Sequence, residues 1–172
     1  MTRRSAILDV IENTPARCVG ALWSAGRVLA VVIGEPSAAA VEKRLRSGYP
    51  SLEITRGANP AGRQLREYFA GGRRRFTVKF DLSPLPPFAR RLLAACARIP
   101  FGAVLTYGLA AKAIGRPRAA RAAGRALARN PLPIIIPCHR VVAARGLGGF
   151  SATGGAALKR ALLEFEAART IM

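Results

Sequence analysis

The stretch from Asn130 to Arg140, Asn-Pro-Leu-Pro-Ile-Ile-Ile-Pro-Cys-His-Arg, constrains this chain more than any other. Asn130-Pro131 stops the helix before it, because proline lacks a backbone donor and restricts the preceding residue. The run Ile134 to Ile136 is short and uniformly apolar, which reads as a buried extended strand. Cys138 and His139, the only histidine of the chain, then stand at the end of that strand. A nucleophile placed directly after an arginine-studded helix points to chemistry carried out on DNA.

The charge agrees. Lys and Arg number 28 against 9 acids, a formal +19. Residues 1–85 carry 14 basic and 7 acidic residues, whereas residues 86–172 carry 14 and 2, with no Asp or Glu between Asp81 and Glu164. A basic half of this kind calls for a polyanionic partner, most often nucleic acid. With 51% apolar residues the chain is not of the disordered class. Its apolar runs, such as Val28–Ile33, are strand-sized, which excludes a membrane span. Three scattered cysteines, Cys18, Cys96 and Cys138, make no disulfide framework, and one histidine without a Cys-x-x-Cys pair makes no structural zinc site. The expectation is a soluble, reduced protein without metal, cytoplasmic and, in a bacterium, nucleoid-associated.

The pattern divides the chain into residues 1–84 and 85–172, with Ser83-Pro84-Leu85-Pro86-Pro87 as the linker. In the first part, Ala21–Ser24 and Arg27–Ile33 around Ala25-Gly26 read as a hairpin. Ser37 caps a helix to about Ser47, and Asn59-Pro60 opens another to about Ala70. Phe76, Val78, Phe80 and Leu82 alternate like a half-buried strand. This is a small α/β domain with a mainly antiparallel sheet.

The second part reads as mostly helical. One helix covers Phe88 to Ile99 and stops at Pro100. Thr106 caps a short helix from Tyr107 to Ile114; Gly115 ends it, and Pro117 opens the next, which runs to about Arg129. A last helix covers Ala157 to Ala168. Two helices joined by so tight a turn make a helix-turn-helix. In the second of them Arg118, Arg121, Arg125 and Arg129 are spaced three, four and four apart and share one face. Nearly all its other residues are Ala or Gly, which lets the backbone approach a partner closely while the arginines reach phosphates. The competing reading is a solvated basic face on an ordinary surface helix.

Cys138 also has a plain alternative, that of an inert core thiol. As a nucleophile it must become a thiolate, and His139 and Arg140 are the neighbours able to favour that form. Successive side chains of an extended segment point to opposite faces, so a direct Cys138–His139 pair is disfavoured. A relay through water fits better, with a carboxylate orienting His139, and only Glu164 or Glu166 is available in this half.

The string Asn130 to Val142 resembles the active-site signature of the O6-alkylguanine-DNA alkyltransferases, the methylated-DNA–protein-cysteine methyltransferases. The likeness continues through Ile99-Pro100-Phe101-Gly102, Thr106-Tyr107, Ala119-Ala120-Arg121-Ala122, Gly154-Gly155 and Leu162-Leu163-Glu164-Phe165-Glu166. It spans about residues 86–168, and Tyr68-Phe69-Ala70-Gly71 followed by Phe76 looks like that family's first domain.

The resemblance implies an α+β protein, with a ribonuclease H-like first domain and a winged-helix-like second domain carrying the helix-turn-helix. It implies a single-turnover transfer of an alkyl group from guanine O6, or from thymine O4, in double-stranded DNA to Cys138. His139 and Glu166 would help form the thiolate. Tyr107 would hydrogen-bond the flipped guanine at N3, and Arg121 would fill the gap left in the duplex. Asn130 would fix the hinge between recognition helix and active site. Backbone groups of Cys138, Val141 and Ser151 would bind the base edge, with Phe150 in the pocket. Binding would be in the minor groove, by a monomer, without a cofactor. Phe150 stands where many members have tyrosine, and Leu92-Leu93 replaces a common tryptophan. The rivals are a helix-turn-helix DNA-binding protein without alkyl transfer, and a cysteine hydrolase, which the single adjacent histidine disfavours.

Overall fold

The computed structural model describes residues 4–170. Its backbone divides into two compact units between Asp81 and Leu82, just ahead of the Ser83–Pro87 segment. The class is α+β.

In the first unit, β1 (Arg4–Thr14), β2 (Arg17–Ser24), β3 (Arg27–Glu35) and β4 (Leu52–Arg56) form one sheet in the order β3-β2-β1-β4. The β1–β2 and β2–β3 pairs are antiparallel; β4 runs parallel to β1 after a crossover through α1 (Ala38–Gly48). Ser37 Oγ accepts the Ala40 N–H and caps α1, and Asn59 Oδ1 accepts the Gly62 N–H and caps α2 (Pro60–Phe69). Val41 and Leu45 of α1 pack on Leu8, Leu22, Ala30 and Ile54 to make the core. Asp9, buried in the centre of β1, accepts the Asn59 N–H and pairs with Arg66.

The segment 76–82, expected as a strand, is not one. Only a bridge between Phe80 and Val28 forms, with Val28 N–H donating to the Lys79 carbonyl. The Thr77 N–H is taken by the Gln64 side chain at 2.9 Å, so the segment is pinned to α2 rather than laddered along β3.

The second unit contains α3 (Pro87–Cys96), α4 (Tyr107–Ala113), α5 (Ala120–Leu127) and α6 (Gly155–Thr170). A two-residue parallel ladder pairs β5 (Leu105–Thr106) with β6 (Val141–Val142). Thr106 Oγ1 accepts the Leu109 N–H and starts α4, and Gly115 at φ 75° ends it, a conformation that costs glycine little. α5 starts later and stops earlier than expected. Pro117 and Arg118 lie in the turn before it, closed by the Ala119 N–H on the Arg116 carbonyl. Arg129 lies in the tightened turn after it, its N–H bonded to the Ala126 carbonyl. Ala119 gives the helix no side-chain cap, so nothing holds the first turn open to residue 117.

The apolar run is also corrected. Pro133 to Ile136 is a tight turn, not an extended strand, closed by the Ile136 N–H on the Leu132 carbonyl at 2.8 Å. Ile134 takes φ 74°, a strained region for a β-branched residue. Asn130 holds this shape: its Nδ2 donates to the Ile136 carbonyl at 2.8 Å and its Oδ1 accepts the Leu132 N–H at 3.0 Å. No described helix is long and apolar enough to cross a membrane.

Candidate active site

Directly after the Asn130-buckled turn, Cys138-His139-Arg140 forms one 3-10 turn. Three residues per turn separate successive side chains by about 120°. Cys138 and His139 therefore diverge, as they would in an extended segment, but for a different geometric reason. Cys138 reaches a cavity of about 720 Å³, whose other walls include Tyr107, Arg121, Gly124, Phe150 and Ser151. His139 turns the other way, into the core, and is fully buried.

Glu166 meets His139 there. Its Oε1 accepts from His139 Nε2 at 2.8 Å, while Glu164 is exposed, so the structure selects between the two carboxylates. Burial alone would raise the Glu166 pKa, but hydrogen bonds from His139 and Arg140 outweigh it and hold the carboxyl well below its ordinary range. An ionised carboxylate can only accept, so the proton in this bond sits on Nε2. Nδ1 of His139 is then a lone-pair acceptor, and it is the one buried side-chain polar atom without a partner among the described residues. Burial pushes His139 below the ordinary histidine value, more than Glu166 raises it.

Cys138 rests as a thiol, because burial raises its pKa. Several groups oppose that rise: the Asn130 side chain, the backbone N–H groups of Cys138 and His139, and the charge of Lys159. The cation that acts on the sulfur is thus Lys159, whereas Arg140, a candidate by adjacency, turns to Glu166. Cys96 on α3 is affected by Cys138 too; burial and that neighbour push its thiol up to about 12, which leaves it unreactive.

Lys159 carries no obvious signal in the sequence, yet its side chain is completely buried. Its Nζ donates to the Val141 carbonyl at 2.6 Å and the Gly149 carbonyl at 3.2 Å, and lies 3.4 Å from Tyr107 Oη. The available clue is spacing: Lys159, Leu162 and Glu166 fall three and four apart along α6 and share its buried stripe. Tyr107 Oη in turn donates to the Gly149 carbonyl at 3.1 Å, and burial raises its pKa. The β5–β6 ladder is what brings Tyr107, next after Thr106, beside the Cys138–Arg140 turn that precedes Val141.

The remaining expected residues separate into groups. Phe150 and Ser151 line the cavity, and Ser151 Oγ donates to the Ala128 carbonyl at 3.0 Å. Val141 is buried and does not line it; its carbonyl faces Lys159. Arg121 lines the mouth, and Arg125 lies one turn further along the same exposed face of α5. Arg118 and Arg129 are exposed in the turns at either end of α5, so the expected four-arginine helix face holds only two of them within the helix.

Comparison with known proteins shows the family. Residues 87–168 match the family model of the 6-O-methylguanine DNA methyltransferase, DNA binding domain. A methylated-DNA–protein-cysteine methyltransferase of Archaeoglobus fulgidus is 40% identical over 124 residues, 70% of this chain and 81% of that protein. One from Mycobacterium bovis is 48% identical over 107 residues, 62% of this chain and 63% of that protein. The crystal structure of the Mycobacterium tuberculosis O6-methylguanine methyltransferase superposes with a TM-score of 0.80 at 34% identity, covering 95% of this chain and 94% of that one. A structure of the same mycobacterial protein in complex with DNA superposes at 0.78 with 35% identity. By fold and by likeness over almost its whole length, this chain belongs to the methylated-DNA–protein-cysteine methyltransferase family.

Proposed function

We propose that this protein repairs double-stranded DNA by moving an alkyl group from O6 of guanine onto Cys138, once per molecule. The observation that carries the reading is the position of Cys138: its sulfur faces a base-sized cavity while its neighbour His139 holds an unpartnered Nδ1 against a Glu166-fixed ring. A regulator that only binds DNA has no use for such a pair.

The chemistry follows from these positions. A base stacked in a duplex cannot present O6 to a protein sulfur, so the alkylated guanine must rotate out, at a cost of a few kcal/mol. Arg121 at the cavity mouth occupies the gap in the stack, while Arg125, Arg118 and Arg129 meet phosphates. The small residues of α5 favour close approach in the minor groove. The Cys138 proton passes through a bridging water to His139 Nδ1. The thiolate then attacks the alkyl carbon: the S–C bond forms as the C–O6 bond breaks, and its electron pair leaves with the base. Tyr107 delivers a proton to guanine N3, and the imidazolium proton returns to the phenoxide through solvent. The products are a thioether at Cys138 and, once solvent has moved the N3 proton to N1, an ordinary guanine. Thymine alkylated at O4 has the same leaving-group chemistry and is the second substrate of this reading.

Intact-protein mass spectrometry after incubation with a duplex containing O6-methylguanine tests the proposal. The expected result is a gain of one methyl group, located to the Cys138 peptide, with none on Cys138→Ser although that variant still binds DNA. A methyl group on Cys18 or Cys96, or binding without any transfer, would overturn it and favour the DNA-binding module.

A further inference from the structure

Glu166 is wholly buried, and a carboxylate there is tolerable only with both oxygens well partnered. Arg140 supplies most of that partnership. Its Nη2 donates to Oε1 at 2.8 Å, and its Nε lies 2.9 Å from Oε2 and 3.2 Å from Oε1. The fork is itself fixed from the α3–β5 loop. Nη1 donates to the Ile99 carbonyl at 2.6 Å, the guanidinium lies 5.6 Å from the Phe101 ring centroid, and Gly102 N–H donates to Oε2 at 3.1 Å. The carboxylate plane cannot turn within this frame, and His139 receives only the edge of Oε1.

We infer that Arg140 is a positioning residue of the proton relay: by fixing and partly neutralising Glu166 it holds His139 as the Nε2–H tautomer, with Nδ1 free to take the Cys138 proton. This rests on the alkyl-transfer reading for the use of that proton, though not for the tautomer itself. Glu166 facing His139 alone would be a stronger partner for the imidazolium, and the ring would hold its own proton when Cys138 has to give one up. The groups that act on His139 are Glu166 and Lys159 of α6 and Arg140 of its own turn. Cys96 on α3 and Tyr107 on α4 face Cys138 rather than His139, and after burial it is the Cys138 charge that raises their pKa values.

His139 is the only histidine in the chain, so an untagged, DNA-free sample gives a single imidazole signal set in nitrogen-15 NMR. The wild-type ring is expected to show the Nε2–H pattern, and to stay neutral to a pH below the ordinary histidine value of about 6.5. Arg140→Met should raise its titration midpoint by about one unit or more, a tenfold change in proton affinity. The acid limb of alkyl transfer should move up with it. Arg140→Lys, which keeps the charge without the fork, should return the limb towards wild type while leaving the plateau rate reduced. A wild-type Nδ1–H tautomer would overturn the inference without any variant, whether or not the variants fold. So would an Arg140→Met protein that is slower by one factor at every pH with the imidazole midpoint unmoved, the behaviour of a merely structural residue. Absence of transfer by the wild type, with the tautomer as expected, would count against the alkyl-transfer reading alone.

Discussion

Lys159 Nζ lies 3.4 Å from Tyr107 Oη and 5.4 Å from the centroid of its ring, with the Val141 and Gly149 carbonyls completing the amine's shell. The phenol that in the proposed reaction protonates the base is thus in contact with a buried cation, and the same cation acts on the Cys138 sulfur. In the proposed reaction one side chain from α6 would bias both the sulfur and the phenol.

Replacing Lys159 by Met separates this role from packing. Burial lowers the Lys159 pKa, so the folded state gains little from the charge itself, but Lys159→Met leaves the Val141 and Gly149 carbonyls without their donor and should cost about 1–3 kcal/mol of stability. Without the cation, the Cys138 thiol pKa should rise, and the pH profile of its modification by iodoacetamide should shift upward. Alkyl transfer at neutral pH should fall about tenfold or more for each unit of that shift. An unshifted profile would show that the amine serves only to tie the two carbonyls together.

Gly148 makes a different kind of contact with Tyr107. A Cβ built there would lie 2.9 Å from Tyr107 Cε2 and 3.2 Å from the Ala143 nitrogen, at φ 72°. Gly148→Ala must therefore displace the phenol or the loop, and transfer should fall far more than DNA binding. Gly124 is the control: its added Cβ would sit 3.8 Å from the same ring, an ordinary contact, inside α5. Gly124→Ala should stabilise the fold by about 0.5–1 kcal/mol through helix propensity. Its cost should fall on DNA affinity if, as proposed, α5 approaches the duplex through that face. Equal losses of transfer in the two variants would mean that Tyr107 is not positioned by Gly148.

The residues of this site differ in how far the sequence reveals them. Capping is local, so Ser37, Asn59 and Thr106 mark their helices correctly, whereas the residues alone leave Glu164 and Glu166 open as partners of His139 and only the family resemblance points to Glu166. Ile134 is misread because three isoleucines look like a strand, while the turn they make depends on hydrogen bonds from Asn130 that composition does not show. β1 hides a buried Asp9 among its inward residues and β4 has five residues, so neither displays a clean alternation. Lys159 looks like an ordinary surface charge until the loop around 143–150 closes over it, and Arg140, read from adjacency as a partner of Cys138, is turned to Glu166 by its bond to the Ile99 carbonyl.

The protonation of His139 should also appear in stability. Its folded pKa is depressed, so below the unfolded value of about 6.5 the unfolded chain binds a proton that the folded state refuses. The stability from keeping the ring neutral is present above that pH and is lost as pH falls through it. Glu166 has the same sign but a lower window: its contribution is lost only below the unfolded glutamate value of about 4.3. Melting temperatures between pH 8 and 5 should therefore decline on the acid side for wild type. His139→Gln, which still offers Glu166 a donor, should show a flatter line over that range. Parallel curves would mean that another group dominates the acid loss.

Arg121 and Arg125 test whether one helix face carries two functions. Both are exposed on α5, but only Arg121 lines the cavity mouth beside Cys138 and Tyr107. Arg125→Ala should behave as the loss of a phosphate contact, weakening binding to all sequences and lowering the salt slope by about one. Arg121→Ala should bind duplex only modestly less well, yet lose much more of its transfer rate, because nothing then fills the space of the rotated base. Free O6-benzylguanine has no stack to leave, so Arg121→Ala should react with it almost as wild type does. The quantity to measure is the ratio of rates on duplex and free base, which should collapse for Arg121→Ala and change little for Arg125→Ala at saturating DNA. The same ratio in both variants would make Arg121 one more phosphate contact and leave the opening of the duplex to some other residue.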